Sequence, residues 1–371
     1  MKLVILKNNF KNILSLVGYA VGINPNIPVI SNVLIKTEGN KINISTTNLE
    51  IGIKASVAGK VVEDGGTSVP YDVLSNIVNN ISSERINLET RDNNLNLQTD
   101  NYEALIQGSN EEEFPIIPKI KETPKPLVVD KKTFSEAIEK TIIAAGTSDL
   151  RPEINGILLA AEPTTLKVVA TDSFRLAEYR IGKDKIESKP EEFQVIIPLK
   201  TADAVGKILK NNKEDETISI YTDTNQIIFK LKDLELVSRV IDGNFPDYEA
   251  IVPKSVETEV NLSREELINA LKLANSFTAR IKDVNLKTTN KKTLEIYSGD
   301  SSLGENKYLI SSKITGEDNS VTFNLRYLLD GIKAEDSKDL ILGLNSENKP
   351  AVIKSSKETS YFYILMPIKV A

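Results

Sequence analysis

The sequence predicts an α+β protein made of three repeats of one module, each an antiparallel sheet carrying a pair of helices. Three observations carry that reading. The stretch Asp242–Pro253 (DGNFPDYEAIVP) has an echo at Gly108–Pro118 (GSNEEEFPIIP) and a shorter one at Tyr363–Lys369 (YILMPIK). These lie roughly 135 residues earlier and 120 later, a spacing too long for a solenoid unit and right for a domain. A pattern of helical periodicity followed by alternating runs also recurs in the same order. Finally, 371 residues and 41.0 kDa exceed what one core usually fills. The expected modules are 1–120, 127–253 and 254–371.

In the first module Lys2–Leu6 reads as a strand, and Phe10, Ile13, Leu14 and Val17 share one face of a helix. Gly18 and Gly22 end that helix before the Asn24-Pro25 turn. Asn32–Lys36, Lys41–Thr46 and Ile51–Val57 are strand-like. Val69-Pro70 precedes a helix with Leu74, Ile77, Val78 and Ile81. Arg85–Thr90 and Asn94–Thr99 flank a hairpin turn, and Tyr102–Gln107 is a further strand. The polar, proline-rich 118–126 is a linker.

The second module repeats the order. Leu127–Val129 leads to Asp130, a helix cap, and to a helix with Phe134, Ala137, Ile138 and Ile142. Strands follow at Ile154–Ala160, Thr165–Ala170 and Leu176–Arg180, then a helix with Val205, Ile208 and Leu209. A hairpin at Ile218–Tyr221 and Gln226–Leu231 precedes the strand Leu234–Ile241, which Asp242-Gly243 stops. In the third module Thr258–Asn261 is a strand, and Ser263 with Glu266 forms a capping box for a helix with Leu267, Ala270, Leu271 and Ala274. A second helix carries Leu325, Leu328, Leu329 and Ile332; Leu340–Leu344, Ala351–Lys354 and Tyr361–Met366 complete the sheet. Each copy thus reads β-α-β-β-β-α-β-β-β, a mixed module of one sheet and one helix pair.

Composition narrows the chemistry. With no cysteine and no histidine, the chain has no thiolate, no imidazole base and no imidazole metal ligand. No metal-ligand spacing and no phosphate-cradling glycine loop is present, so no catalytic residue, metal or cofactor is expected. No apolar run approaches the roughly 20 residues of a membrane span, and the short apolar N-terminus is no signal peptide; the expectation is a soluble cytoplasmic protein with no membrane partner. A net charge of -6 argues against a surface coated in nucleic acid. Bases nevertheless gather on or beside the helices: Lys7, Lys11, Lys131, Lys132, Lys200, Lys207, Lys210, Lys272, Arg280, Lys282, Arg326 and Lys333. Singly these are solvated side chains; together they suit a phosphate backbone bound without base readout.

The sharpest local motif is Ala170–Ala177 (ATDSFRLA). As turn chemistry it is a strand, an Asp-Ser turn and a returning strand. As function it is a pocket rim, with Thr171, Leu176 and the Arg175 stem towards a ligand. Asp172, Asp242 and Asp247 invite comparison with a carboxylate pair for hydrolysis, but each sits where a turn favours Asp. A repeat-built scaffold or adhesion protein that binds protein and no DNA is a further alternative.

Taken with Arg151–Gly156 (RPEING), Ile197-Pro198, Val240–Tyr248 (VIDGNFPDY), Phe323–Asp330 (FNLRYLLD) and Met366–Lys369 (MPIK), that motif resembles the bacterial sliding clamp family, the beta subunits of DNA polymerase III. The resemblance runs the length of the chain. It implies the DNA clamp fold, with two chains closed head to tail into a six-domain ring around duplex DNA, without sequence preference and without chemistry. It implies tethering of the DNA polymerase III catalytic subunit, handling by a clamp loader, and binding of other repair and replication clients. The client-peptide pocket it implies is Ile154, Thr171, Ser173, Phe174, Arg175, Leu176, Pro246, Ile251, Asn324, Tyr327, Ile364, Leu365, Met366, Pro367 and Ile368. DNA-facing residues would be Asn24, Arg151, Lys200 and Lys207. The dimer seam would set Tyr102–Gln107, with Ala104, exposed Leu105 and Ile106, against Ser276 and Phe277 of a partner. The chain departs from common family residues at Asn24, Pro152-Glu153, Ser173-Phe174 and Ala250, and the helix Tyr71–Asn80 carries no base.

Overall fold

The computed structural model describes residues 1–118, 125–148, 150–188, 192–278 and 282–368. Most of the expected linker, together with Arg280 and Lys369, lies outside the described residues. The chain forms two compact bodies, 1–132 with 204–240 and 133–203 with 241–371.

Elements follow one another as three cycles. The first is β1 (Lys2–Leu6), α1 (Lys7–Val17), β2 (Asn32–Glu38), β3 (Lys41–Thr47), β4 (Ile51–Val57), β5 (Gly59–Glu63), β6 (Gly65–Pro70), α2 (Tyr71–Asn80), β7 (Arg85–Arg91), β8 (Asn94–Gln98) and β9 (Glu103–Ile106). The second is β10 (Leu127–Asp130), α3 (Lys131–Thr141), β11 (Gly156–Ala161), β12 (Thr165–Thr171), β13 (Arg175–Gly182), β14 (Phe193–Pro198), α4 (Leu199–Asn211), β15 (Thr217–Thr222), β16 (Gln226–Lys230) and β17 (Leu234–Arg239). The third is β18 (Thr258–Ser263), α5 (Arg264–Ala274), β19 (Asp283–Thr289), β20 (Thr293–Asp300), β21 (Gly304–Ser311), β22 (Lys313–Gly316), β23 (Ser320–Asn324), α6 (Leu325–Ala334), β24 (Asp339–Leu344), β25 (Ala351–Ser355) and β26 (Tyr361–Leu365). Four or five strands, not three, separate the two helices of each cycle. The extra ones escaped the pattern because they are edges or glycine-rich: in β5 every residue is at least partly exposed, and β6 begins Gly65-Gly66.

The first body holds a five-stranded sheet, β5-β1-β7-β8-β9, and an eight-stranded one, β10-β15-β16-β17-β4-β3-β2-β6. The second holds a nine-stranded sheet, β14-β11-β12-β13-β26-β25-β24-β18-β22, and a four-stranded one, β21-β20-β19-β23. The two largest sheets each cross a repeat boundary through an antiparallel pair. In one, β17 lies on β4 with Leu236 opposite Ile53; in the other, β26 lies on β13 with Ile364 opposite Leu176.

Sequence periodicity explains how each first helix sits. Its fourth, eighth and eleventh residues are buried: Phe10, Leu14 and Val17 in α1, Phe134, Ile138 and Thr141 in α3, Leu267, Leu271 and Ala274 in α5. Burying one such large side chain contributes about 1.5–3 kcal/mol. The first residue of each of these helices is a base with a different task. The Lys7 ammonium donates to the Ile81 carbonyl just past α2, and Lys131 to the Asn212 carbonyl just past α4. Arg264 donates to Ile332 and Lys333 carbonyls at 3.0 Å each, at the end of α6. In all three a cation closes the carbonyl end of the second helix, where the helix dipole is negative and the last carbonyls lack partners. The backbones repeat the contact: Lys7 N–H donates to Glu84, Lys131 to Glu216 and Arg264 to Lys338. Lys7 and Lys131, read from sequence as part of a phosphate-binding surface, are therefore helix-pair clamps.

Lys140 on α3 is buried as well. Its ammonium lies 2.7 Å from Glu136 and 3.0 Å from Asp336, and 5.8 and 5.6 Å from the centres of the Tyr179 and Tyr361 rings. Burial draws its pKa down, but the two carboxylates outweigh this and keep it charged. Nearby, burial raises the Glu335 carboxyl to about 7, with Lys140 opposing.

Two outcomes follow. Arg264→Met, which keeps the stem and deletes the head group, will lower unfolding free energy by about 1–2 kcal/mol in urea melts, whereas Lys272→Met on the exposed face of α5 will change it by less than about 0.5 kcal/mol. For Glu335 the folded pKa lies above the unfolded one. The folded state then holds the proton longer, so stability falls as pH rises from about 4.5 to 7 and levels off above. Glu335→Gln will remove that loss: its advantage in thermal melts will be absent at pH 4 and reach about 2–3 kcal/mol by pH 8.

Candidate functional site: the Thr171–Leu176 turn and the strand end beside it

The turn between β12 and β13 is built from its own side chains. Asp172 Oδ1 accepts from the Phe174 and Arg175 N–H groups at 2.9 Å each, and Asp172 N–H donates to the Arg175 carbonyl at 3.2 Å. The Thr171 hydroxyl donates to the Arg175 carbonyl at 2.8 Å and accepts from Ser173 N–H at 3.2 Å. Ser173 adopts φ 77°, a left-handed conformation that these bonds hold in place. The result pushes Phe174 outward, 61% exposed. The chain after β26 is fastened to it: Met366 N–H donates to the Phe174 carbonyl at 2.8 Å, and Ile368 N–H to Thr322 at 2.8 Å.

Strand alternation divides the residues expected in the pocket between the two faces of the sheet. Leu176 and Ile364 face one side, in a packed cluster with Leu158, Val169, Ile196, Phe245 and Tyr248. Phe245 and Tyr248 meet edge to face, ring centres 6.1 Å apart, and roof this face of the sheet. Tyr248 also sits by buried Glu178; burial, then that charge, push its hydroxyl pKa up, so it stays a neutral donor. One residue along, Arg175 and Leu365 face the other side. There the guanidinium lies 4.1 Å from the centre of the Tyr327 ring, donates to Asp172 at 2.9 Å and to Asp330 on α6 at 2.8 Å. Asn324 serves as the N-cap of α6, accepting from Arg326 and Tyr327 N–H groups.

The pocket residues thus separate into a floor and a rim. Ile154, Thr171, Leu176, Ile364 and Leu365 are buried, while Pro246, Met366, Pro367 and Ile368 are half-buried and Phe174 and Ile251 are exposed. Sequence reasoning missed Asp330 as the second partner of Arg175; the only signal was an acid at the end of the Phe323–Asp330 motif.

Other expected residues fall elsewhere. Asn24 caps its own turn, accepting from Asn26 N–H at 2.9 Å. Arg151 pairs with Glu153 at 3.0 Å and donates to the Ser173 hydroxyl at 2.8 Å, beside the Thr171–Arg175 turn. Lys200 is exposed, and the Lys207 ammonium lies 5.7 Å from the Tyr19 ring centre. On β9 Glu103 and Leu105 are exposed, Leu105 at 54%; Ile106, expected as an exposed edge residue, faces inward because it stands opposite Leu95 of β8, and Ala104 is half-buried opposite Leu97. Ser276 is exposed and Phe277 half-buried in the turn after α5. Among the described residues there is no acidic cluster able to hold a metal ion, and no helix is long and apolar enough to cross a membrane.

Comparison with known proteins settles the family. Residues 1–118 match the N-terminal domain of the DNA polymerase III beta subunit, 128–247 its central domain and 249–369 its C-terminal domain. The chain belongs to the DNA polymerase III beta subunit family. It is 28% identical over 377 residues to the beta sliding clamp of Synechococcus elongatus, spanning all of both chains. It is 23% identical to that of Bacillus subtilis over 381 residues, all of this chain and all of its relative. Among solved structures, the beta subunit of Thermotoga maritima superimposes over the whole of both chains with a TM-score of 0.93 at 25% identity.

The clamp family is a family of non-catalytic processivity factors of DNA polymerase III. The turn and strand end consist of apolar groups and of hydroxyls and carboxylates hydrogen-bonded within the turn. Asp330→Ala, which strips Arg175 of one charged partner, will cost about 1–3 kcal/mol in urea unfolding, and Asp330→Asn less, since the amide still accepts.

Proposed function

We propose that two copies of this chain close head to tail into a ring around duplex DNA, and that clients dock a peptide on the rim formed by Phe174, Pro246, Ile251, Met366, Pro367 and Ile368. The strand pairing carries this reading. At each boundary between repeats, the last strand of one repeat pairs with the third strand after the first helix of the repeat before it: β17 with β4, and β26 with β13. By that rule two strands are left over, β9 in the first repeat and β21 in the third. Both are sheet edges, and each shows an exposed leucine, Leu105 at 54% and Leu309 at 56%. Unpaired apolar edges are association sites. Pairing β9 of one chain with β21 of another, twice, satisfies all four edges and closes the assembly. Ser276 and Phe277 follow α5 and pack on β21, so they belong to the same seam. Three modules with the boundaries 1–120, 127–253 and 254–371 are the units of this ring.

The exposed bases Lys11, Lys132, Lys200, Lys207, Lys210, Lys272, Lys282, Arg326 and Lys333 support contact with phosphates; Asn24 and Arg151 are engaged locally and support it less. Retention by topology needs no tight grip, and a weak, wet, sequence-blind contact lets the ring slide. The client rim is uncharged: both carboxylates around Arg175 are already spent on it. Apolar anchors on a flexible Met-lined surface suit several clients in turn; the DNA polymerase III catalytic subunit, a clamp loader and repair proteins are the ones this reading assigns, all meeting the chain in the cytoplasm.

Leu105→Pro, which removes an edge donor and its apolar contact, will halve the mass measured by sedimentation equilibrium and abolish retention on nicked circular DNA. Wild-type protein will stay on the circle and run off once it is cut; an unchanged mass for the variant, or equal retention on circle and linear DNA, overturns the ring.

A further inference from the structure

The first body contains a second copy of the client turn. Between β3 and β4, Asn48 Oδ1 accepts from Glu50 N–H at 2.9 Å and Ile51 N–H at 2.7 Å, and Asn48 N–H donates to the Ile51 carbonyl at 3.1 Å. The Thr47 hydroxyl donates to the same carbonyl at 2.9 Å and accepts from Leu49 N–H at 3.0 Å, and Leu49 has φ 74°. Each bond has its counterpart, at the same residue offsets, in the Thr171–Arg175 turn. The strand partner matches too, since β17 lies on β4 as β26 lies on β13. So does the buried Phe-Pro step beside it, Phe114-Pro115 for Phe245-Pro246, the two Phe side chains 6% and 8% exposed.

The second turn borders a hollow of about 300 Å³ lined by Leu49, Glu50, Ile51, Ile116, Val237 and Arg239. That volume is at the lower end for a binding pocket. Leu49 is 45% exposed and Ile116 93%, so two aliphatic side chains stand open to solvent on the wall of the hollow. The floor differs from the client turn's in one respect. Where β13 places Leu176, β4 has Gly52, and Ile117 lies across it; a Cβ on Gly52 would come within 2.7 Å of Ile117. The buried cation is absent as well, because Ile51 stands where Arg175 does. The hollow's cation is Arg239, exposed on its edge and without an ion-pair partner among the described residues.

We infer that this hollow is a second docking slot on each chain for an extended client segment that seats an aliphatic or aromatic anchor on Leu49, Ile116 and Val237 and a carboxylate on Arg239. The inference rests on the reading of the Phe174 rim as a client site, from which the occupant's class is taken; the carboxylate comes from Arg239 alone. Affinity will be lower than at the first site, because the hollow is small and its apolar walls are fewer.

The chain has no cysteine, so Glu50→Cys, at an exposed position on the wall of the hollow that seats neither the anchor nor the carboxylate, carries a single environment-sensitive bimane. The probe is an acetylated hexapeptide with leucine and phenylalanine anchors and one glutamate, followed by its own anisotropy through a terminal dye. The expected result is two phases: anisotropy rises first, and the bimane responds at peptide concentrations about tenfold or more higher. Adding Ile116→Asp, a change at an almost fully exposed position, abolishes the bimane response and leaves the anisotropy rise; Arg239→Gln weakens the bimane phase, and a probe with glutamine for glutamate weakens it equally. A silent bimane while anisotropy saturates overturns the second slot and keeps the first. No response in either channel overturns the client rim, and the second slot with it. A bimane response that survives Ile116→Asp and Arg239→Gln together also overturns it, since the dye then reports something outside the hollow.

Discussion

One contact recurs wherever a helix pair is made: the base that opens the first helix reaches the carbonyl end of the second. Lys7, Lys131 and Arg264 do this in successive repeats, and in each the same residue's backbone N–H donates to the carbonyl just before the strand that follows the second helix. It joins two helices and two strands at one point. The negative end of a helix dipole and several orphan carbonyls would otherwise end in a partly buried position. With that end closed, the first helix of each pair, with Phe10, Phe134 or Leu267 on its buried face, is tied to the end of the second. Arg264 makes two bonds where each lysine grips a single residue, consistent with its planar fork.

The same economy governs the loops. The turns Thr47–Ile51 and Thr171–Arg175 use an Asx acceptor and a threonine hydroxyl to hold a non-glycine residue at positive φ. Neither needs a ligand to be formed. What varies between them is what the turn displays: Phe174 and a clamped Arg175 in one, Glu50 and a buried Ile51 in the other. The scaffold is therefore repeated, and the chemistry offered to a partner is set by two or three side chains on it. This is why the repeat can specify the fold firmly while the side chains at the rim are free to vary between its copies.

Several charges in this protein are committed to local partners. Lys140 is held by Glu136 and Asp336, Arg175 by Asp172 and Asp330, Arg151 by Glu153 and Ser173. Counting basic residues along the helices therefore overstates what is available to a phosphate. The exposed bases suit the proposed ring, which would hold DNA by being closed around it and would ask little of any single contact.

By itself the sequence determined the repeat, the position of each helix and the face it buries, because apolar spacing at 3.6 residues is set by the chain alone. It also determined which turns form, since Asp172, Asn48 and Asp223 bond their own backbones. Edge strands such as β5 and the glycine-led β6 were illegible, because an edge has one neighbour and little to bury. The tertiary structure decided the rest. It separated Leu176 and Ile364 from Arg175 and Leu365, because adjacent strand residues face opposite ways. It turned Ile106 inward and Leu105 outward for the same reason. And it gave Lys7 and Lys131 a structural partner in place of a solvated role, since the carbonyl each one meets lies more than seventy residues away in the chain, beyond the reach of any local pattern.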